Sequence, residues 1–206
     1  MPKPIADSHY KTNRERTETT RLALIDAARA LFVSKGYGET STPEIAVAAG
    51  ITRGALYHHF VDKRDLFRQV LVREAETVAA DIEAATPRLL TPREALLQGS
   101  KAYLNAMAAP GRTRLLLIEG PAVLGLKEIM AIDEATSANS LRQGLVKARL
   151  GKAEVSLPAL ARLLSATFDR AALEIDAGAD REEIHSAMRW LLEQALGPES
   201  RRKPSA

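Results

Sequence analysis

Arg53 and Tyr57 lie four residues apart, so on a helix their side chains share one face. An arginine at the start of a helix could donate two hydrogen bonds to the O6 and N7 atoms of a guanine. A tyrosine one turn later could reach a phosphate or a thymine methyl group. Thr42 and Thr52 stand at predicted helix starts, where hydroxyls and free backbone N–H groups can bind phosphate. Together these residue types predict contact with a nucleic acid.

Neighbouring residues extend this candidate surface. Gly54 and Ala55 are small, which lets a helix backbone approach a partner closely. Lys63 comes beside the start of the next helix and could bind a backbone phosphate. His58 is expected to face outward, where it either touches phosphate or is simply solvated. His59 is better explained as a partly buried structural residue, and adjacent histidines point about 100° apart, which is unsuitable for one metal ion.

Two short helices must position these side chains. Ser41 and Glu44 have the spacing of a capping box, which predicts the start of the first helix. Gly50 ends that helix, and Thr52 is a good N-cap for the second. A third helix follows directly and would pack behind them. This arrangement is typical of a helix-turn-helix, whose second helix enters the major groove of DNA.

The rest of the chain also has helical periodicity, without an alternating strand pattern. The fold class is therefore predicted to be all-α, with about nine helices. The first helix is expected from about Thr19 to Gly36, and a single helix is expected over residues 126–150. The predicted division is a flexible arm over residues 1–17, a DNA-binding domain over 18–75 with its helix-turn-helix at about 41–60, a helical domain over 76–198 and a flexible tail over 199–206.

The composition limits the classes of protein to which the chain can belong. Of its 206 residues, 46% are hydrophobic, so it can bury a core. It contains no cysteine, which excludes disulfides and thiolate metal sites. Neither a signal-peptide core nor an apolar run of about 20 residues is present, so a cytoplasmic location is expected. Residues 1–75 hold 12 Lys and Arg against 9 Asp and Glu, while the remainder holds 17 of each, which suits a polyanion partner for the first part.

A series of motifs runs without gaps through residues 17–75. It comprises Ala-Ala-x-x-Leu-Phe-x-x-x-Gly-Tyr at 27–37, Ile-Ala at 45–46, Ala-Gly-Ile at 49–51, Gly-Ala-Leu-Tyr-x-His-Phe at 54–60, then Lys63 and Leu66. This series resembles the N-terminal DNA-binding domain of the tetracycline-repressor (TetR) family. The resemblance implies that the positions at the DNA are Thr42, Arg53, Gly54, Ala55, Tyr57, His58 and Lys63. Pro43 stands where a longer polar residue is common in that family, so no contact is expected from its side chain.

The resemblance also implies an architecture and a mode of action. It implies a transcriptional regulator, most simply a repressor, that is not an enzyme; no cofactor and no metal are expected. The partners would be a palindromic operator in double-stranded DNA, a second copy bound through the last two helices, and a small-molecule effector that releases the DNA. Those two helices, predicted over residues 157–175 and 180–196, have the wide apolar stripes that a four-helix interface requires, although an intramolecular core would require the same stripes.

Candidates for the effector site are Tyr103, Met107, Glu119, Met130 and Phe168. Glu119 follows an apolar run and precedes Gly-Pro, so it could orient a ligand in an apolar cavity. As a helix-end residue it could instead form an ion pair or a hydrogen bond. The other four candidates, together with Trp190, have packing in the core or at a dimer interface as their alternative explanation.

Two further functions are open on the residues alone. An enzyme would need a convergent set of acid, base or metal-binding side chains, and the sequence shows no such set. An architectural DNA-binding protein would bind with little sequence preference and steep salt dependence, which the modest excess of positive charge disfavours.

Overall fold

The computed structural model describes residues 13–87, 89–148 and 155–197 of the chain. Within these ranges the fold is all-α, as predicted, and it has ten α-helices where about nine were expected. They are α1 (Asn13–Glu39), α2 (Thr42–Ala48), α3 (Arg53–His59), α4 (Lys63–Ala85), α5 (Pro92–Met107), α6 (Gly120–Leu124), α7 (Leu126–Ala135), α8 (Ser137–Lys147), α9 (Leu157–Asp176) and α10 (Arg181–Leu196). A π-helical turn, Arg114–Glu119, precedes α6.

The first helix begins earlier than its apolar pattern indicates. α1 starts at Asn13, so the prediction of a flexible arm up to residue 17 is wrong from Asn13 onward; the residues before it lie outside the described ranges. Within this polar turn the Thr19 hydroxyl donates to the Glu15 carbonyl at 2.7 Å. At Gly36 the backbone leaves the helical region (φ 84°, ψ 166°), a conformation that glycine adopts without steric cost.

The chain forms two compact units, which divide between Val70 and Leu71 within α4. In the first unit, α1, α2, α3 and the start of α4 enclose an aromatic cluster. The rings of Phe32 and Phe67 meet edge to face at 5.0 Å, and the ring of Tyr37 lies 4.9 Å from that of Phe67. Fully buried aliphatic side chains complete this core: Leu24, Ile45, Leu56 and Leu66. The core gives the two short helices a rigid base.

In the second unit, α5, α8, α9 and α10 share one apolar core with part of α4. Its buried members include Val78, Leu96, Leu104, Met107, Leu145, Leu164, Phe168, Met188 and Leu192. The apolar stripes of α9 and α10 therefore serve an intramolecular core on one side. Among the helices described, none combines the length and the apolar character that a membrane crossing requires.

A buried ion pair joins the segment after α5 to α4 within the second unit. The Arg112 Nε atom donates to Glu74 Oε2 at 2.9 Å, and its Nη1 atom donates to the carbonyl of Ala106 at 2.7 Å. Arg112 is 7% exposed and Glu74 is 5% exposed. The Nη1 atom also lies 3.6 Å from Asp81 Oδ2. These contacts hold the segment after α5 against α4.

The prediction of a single helix over residues 126–150 is wrong, because the helix is interrupted at Thr136 and divides into α7 and α8. Thr136 has φ −127° and ψ −106°, and its hydroxyl donates to the carbonyl of Ile132 at 2.9 Å. The side chain thus takes the place of a backbone donor where the helical ladder stops. Residues 149–154 and the predicted tail lie outside the described ranges.

Candidate nucleic-acid interface

The start of α2 is held by a complete capping box, as predicted. The Ser41 hydroxyl accepts from the Glu44 N–H at 3.4 Å, and a Glu44 carboxylate oxygen accepts from the Ser41 N–H at 3.0 Å. The other carboxylate oxygen accepts from Lys35 Nζ on α1 at 2.7 Å. The bond from Lys35 first, then those from Ser41, lower the pKa of Glu44 to about 2. These contacts tie α2 both to its own first turn and to α1.

The turn between α2 and α3 also follows the local signals in the sequence. Gly50 has φ 69°, which a residue with a side chain rarely adopts. The Thr52 hydroxyl accepts from the Ala55 N–H at 3.2 Å and so caps α3. Leu56 and Phe60 are buried, at 0% and 2% exposure. Because these two side chains anchor one face of α3, the opposite face is directed to solvent.

That solvent-facing side of α3 carries most of the residues proposed to meet DNA. Arg53, Gly54, Tyr57 and His58 are exposed, and Ala55 is half-buried. The Arg53 guanidinium carbon lies 5.7 Å from the centre of the Tyr57 ring. The two side chains therefore form one exposed surface, with a charged, bidentate donor beside an aromatic ring.

A hydrogen bond connects this surface to α2. The Tyr57 hydroxyl and the Thr42 Oγ1 atom lie 3.1 Å apart. This bond, followed by the influence of Arg53, lowers the pKa of the Tyr57 hydroxyl. The sequence predicted that both hydroxyls lie near DNA, but it did not reveal that they bond each other. The bond orients the phenol ring before any partner arrives.

None of the residues that the structure describes requires a glycine at position 54. A Cβ atom built on Gly54 would have the Thr52 Oγ1 atom, at 3.9 Å, as its nearest neighbour. The position is helical and exposed, so alanine would fit the fold. Any demand for a small residue here must come from an external surface.

Lys63 has a structural role that the sequence did not reveal. Its Nζ atom donates to the carbonyls of Tyr37 at 2.9 Å and Thr40 at 3.0 Å, and it lies 4.2 Å from the centre of the Tyr37 ring. The ammonium group therefore fixes the start of α4 against the end of α1. The ammonium group has three N–H donors, and these bonds use two of them. The predicted contact with phosphate would have to use the third.

The two adjacent histidines differ in environment. His58 is exposed, whereas His59 is half-buried with its ring 6.4 Å from that of Phe60. Within the described ranges, His, Asp and Glu form no group of three or more that could hold a metal ion.

The second unit contains a cavity of about 650 Å³ that is lined by α4, α5, α8, α9 and the α7–α8 junction. Two of the predicted effector-site residues, Tyr103 and Phe168, line it, and their rings meet edge to face at 5.7 Å. A volume of this size accommodates a ligand of several rings. Other lining side chains include Ile82, Leu96, Leu141, Ser165 and Gln143.

The other three predicted effector-site residues do not line this cavity. Met107 is 2% exposed and packs in the core, which was its alternative explanation. Glu119 forms an ion pair with Arg114 at 2.8 Å, which also agrees with its alternative explanation. Met130 is 53% exposed. Their side chains are separated from the cavity because long-range packing, which apolar spacing does not encode, decides which helix faces surround it.

Two carboxylates behind the cavity wall were missed by sequence reasoning. The Tyr103 hydroxyl donates to Asp169 Oδ1 at 2.6 Å, and the Ser165 hydroxyl donates to Asp133 Oδ2 at 3.2 Å. Burial raises the pKa of Asp169 to about 6 and also raises that of Asp133. The pKa of Tyr103 is raised well above 10, first by burial and then by Asp169. Asp133 and Asp169 gave only a weak signal in the sequence, because each is a single acidic residue on an otherwise apolar helix face.

Comparison with known proteins covers both units. Residues 24–70 match the family described as bacterial regulatory proteins of the tetR family. Residues 93–198, half of the chain, match the family described as the tetracyclin repressor-like C-terminal domain.

Two similar proteins match about a third of the chain in sequence. The HTH-type transcriptional regulator AcrR of Shigella flexneri is 52% identical over 60 residues, which are 29% of this chain and 27% of that protein. The HTH-type transcriptional repressor BepR of Brucella suis is 43% identical over 63 residues, which are 31% of this chain and 30% of that protein. The chain thus matches less than a third of the length of these two relatives. A crystal structure of a tetR-family transcription regulator from Shewanella sp. PV-4 is 26% identical, with a TM-score of 0.66, and the match covers 85% of this chain and 97% of that one.

Proposed function

Because the chain belongs to the TetR family of transcriptional regulators, we propose that it binds a palindromic operator as a homodimer and represses transcription until a small molecule occupies its second unit. Membership of the family makes the chain a DNA-binding regulator and not an enzyme. Beyond this membership, we propose repression, a symmetric operator and release of the DNA by an effector. Its place of action is the cytoplasm, where bacterial DNA lies.

The exposed face of α3 is the observation that carries the proposal. Leu56 and Phe60 anchor the helix, while Arg53, Gly54 and Tyr57 are left on the outside. In a major groove, Arg53 would read a guanine through two hydrogen bonds, and Tyr57 would contact a phosphate or a thymine methyl. Gly54 would let the helix approach the DNA closely, which explains a glycine that the fold does not need.

The outer faces of α9 and α10 support a dimer. On α9, Leu163 is 68% exposed, and on α10, Trp190 is 61% exposed, although each helix already buries its other face in the core. Large apolar side chains on two neighbouring helices suit a four-helix interface with a second copy. Such a dimer would present two α3 helices to successive major grooves about 34 Å apart, which requires a near-palindromic site.

Repression and an effector are supported by two further observations. BepR, which is 43% identical over 63 residues, is a repressor. The cavity of about 650 Å³ in the second unit is large enough for a small organic molecule. An effector that binds one arrangement of the dimer more tightly than the other would shift the population away from the DNA-binding arrangement.

Selection of duplexes from a random pool tests the DNA-binding proposal. The full chain should enrich a near-palindrome, and Arg53→Ala should lose its footprint on that sequence. Lys127→Ala is the control, since it removes one exposed positive charge from the second unit. A normal Arg53→Ala footprint would exclude α3 as the reading helix. Enrichment of sequences without symmetry would exclude the palindrome.

Sedimentation tests the proposed dimer. Leu163→Glu and Trp190→Glu should shift the protein from dimer to monomer and weaken operator binding at least tenfold. Leu89→Glu is the matched control, because Leu89 is 98% exposed and lies outside these helices. If both α9 and α10 variants sediment as the wild type does, the interface lies elsewhere.

Operator release tests the effector. A reporter gene behind the selected operator should be silenced by the wild-type chain and reactivated by compounds that release the operator in vitro. Unchanged transcription with and without the chain would refute repression. If compounds bind the cavity but none of them releases the operator, effector control is refuted.

A further inference from the structure

We infer that the cavity of the second unit takes an organic cation, whose charge is matched by the carboxylates of Asp169 and Asp133 behind Tyr103 and Ser165. The inference rests on the proposed effector function and specifies its ligand class. It is carried by the hydrogen-bond directions at the cavity wall, the charges around it and the character of its lining.

The hydrogen-bond directions make the wall an acceptor surface at Tyr103 and Ser165. Tyr103 and Ser165 both line the cavity, and both hydroxyls donate outward to a carboxylate, at 2.6 Å to Asp169 and 3.2 Å to Asp133. Each hydroxyl has a single proton, so what it can offer a ligand is an oxygen lone pair. Lone pairs that are polarised by a carboxylate bind N–H donors and positive charge, and they repel anions.

The charged groups that act on these two carboxylates are acidic. The charged group that acts on Asp169 is Asp133, and the one that acts on Asp133 is Glu134, so every one of these is acidic. Neither Asp133 nor Asp169 has a basic partner among the described residues. Both carboxylates are half-buried, which disfavours their charged forms, and a bound cation would offset that cost.

The cavity lining agrees with a cation that carries an apolar body. The charged side chains of the described lining are Glu76, Glu83 and Lys147, all exposed, so the rim is net acidic. The lining also contains the rings of Tyr103 and Phe168, which meet edge to face with their centres 5.7 Å apart. Aromatic rings next to carboxylates bind organic cations through both electrostatic attraction and apolar contact.

Two dyes on the same xanthene skeleton test the inference with the full chain in the absence of DNA. A rhodamine methyl ester is cationic, and fluorescein is anionic. Fluorescence polarisation should show binding of the rhodamine ester and at least tenfold weaker binding of fluorescein. Equal or tighter binding of fluorescein, or no binding of either dye, would overturn the inference.

Variants connect the charge preference to these residues. Asp169→Asn keeps an oxygen that can accept from Tyr103 but removes the charge, and it should weaken binding of the rhodamine ester at least tenfold. Asp176→Asn removes an exposed carboxylate from the same helix and should change nothing. Should Asp169→Asn fold poorly, Tyr103→Phe keeps the ring and removes the lone pair, and a loss of threefold or more is expected. Unchanged affinity in the folded variants would overturn the assignment.

Operator binding separates this inference from the proposed function. The Asp169→Asn variant should bind the operator as the wild type does, because α3 is unchanged. If the rhodamine ester binds the cavity but does not release the operator, effector control fails while the ligand class stands. If the operator is bound and released by other compounds while neither dye binds, the ligand class fails and the proposed function stands.

Discussion

The hydroxyl oxygens of Thr42 and Tyr57 lie 3.1 Å apart, and their hydrogen bond joins the first turn of α2 to the middle of α3. Tyr57 belongs to the exposed surface that carries Arg53, and Thr42 beside it is half-buried. The bond therefore holds the Tyr57 side chain, which we propose faces the DNA, in one orientation, and this would reduce the entropy cost of binding.

A double-mutant cycle measures this coupling. Tyr57→Phe and Thr42→Val should each weaken operator binding about three- to tenfold, because each removes a hydroxyl and frees the other. The double variant should lose less than the sum, with a coupling of about 1 kcal/mol. Titration of the operator by fluorescence anisotropy gives the four affinities. Additive losses, or normal footprints for both single variants, would show that the bond does not orient the ring for DNA.

Gly54→Ala separates fold from function. A methyl group meets open space here, so the free energy of unfolding should stay the same or rise by up to about 1 kcal/mol, since alanine favours a helix. Operator affinity should fall at least tenfold, because the methyl group would lie between α3 and the DNA. Urea unfolding and operator titration provide the two measurements. Wild-type affinity in this variant would mean that α3 does not approach a surface at Gly54.

Lys63→Met should destabilise the first unit. The substitution keeps most of the side-chain length but leaves the carbonyls of Tyr37 and Thr40 without their shared donor. We expect the free energy of unfolding to fall by about 1–3 kcal/mol. Lys127→Met, at an exposed position in α7, serves as the control and should change stability by less than about 0.5 kcal/mol. Equal stability of the two variants would show that the contacts of Lys63 carry no net energy.

Two glycines beside the cavity should respond oppositely to alanine. A Cβ atom on Gly144 would lie 2.6 Å from Leu96 Cδ2, so Gly144→Ala should destabilise the second unit by about 1–3 kcal/mol through overpacking. A Cβ atom on Gly99 would lie 3.5 Å from Ile82 Cγ2, an ordinary contact, so Gly99→Ala should stabilise α5 by about 0.5–1 kcal/mol. Thermal unfolding ranks the two variants against the wild type. The reverse order would contradict the close packing of α8 on α5.

The stability of the chain should depend on pH through Asp169. Its pKa is raised to about 6 in the folded protein from an ordinary value of 3.8, and the titratable groups that act on it are Tyr103 on α5 and Asp133 on α7. Between about pH 4 and 6 the folded state therefore binds an extra proton at Asp169, and the contribution of this group to wild-type stability falls as pH rises through this window. Asp169→Asn cannot ionise and escapes that loss.

The stability of Asp169→Asn relative to the wild type should increase by about 2–3 kcal/mol between pH 4 and pH 7, because each tenfold difference in proton affinity between the folded and unfolded states corresponds to about 1.4 kcal/mol. Urea unfolding at several pH values measures it. Asp176→Asn, at an exposed position, should run parallel to the wild type. A constant difference between wild type and Asp169→Asn across this range would rule out the burial of a charged carboxylate.

Local signals were sufficient for the helix-turn-helix. The capping box of Ser41 and Glu44, the positive φ of Gly50 and the cap at Thr52 depend on residues at most four positions apart. Such interactions are set by backbone sterics and nearby hydrogen bonds, so the sequence by itself determined these helices. With Leu56 placed in the core by its spacing, the exposure of Arg53 and Tyr57 followed as well.

Only the tertiary structure decided the features that depend on distant partners. Lys63 meets carbonyls more than twenty positions earlier in the chain, Asp169 meets Tyr103 across 66 positions, and Arg112 meets Glu74 across 38. The break at Thr136 and the course of the cavity wall likewise depend on which faces of the helices pack together. Apolar periodicity determines that a helix has a buried face. It does not determine which helix packs against that face or which void remains between them. Both depend on the shapes of side chains that meet only when the chain is folded.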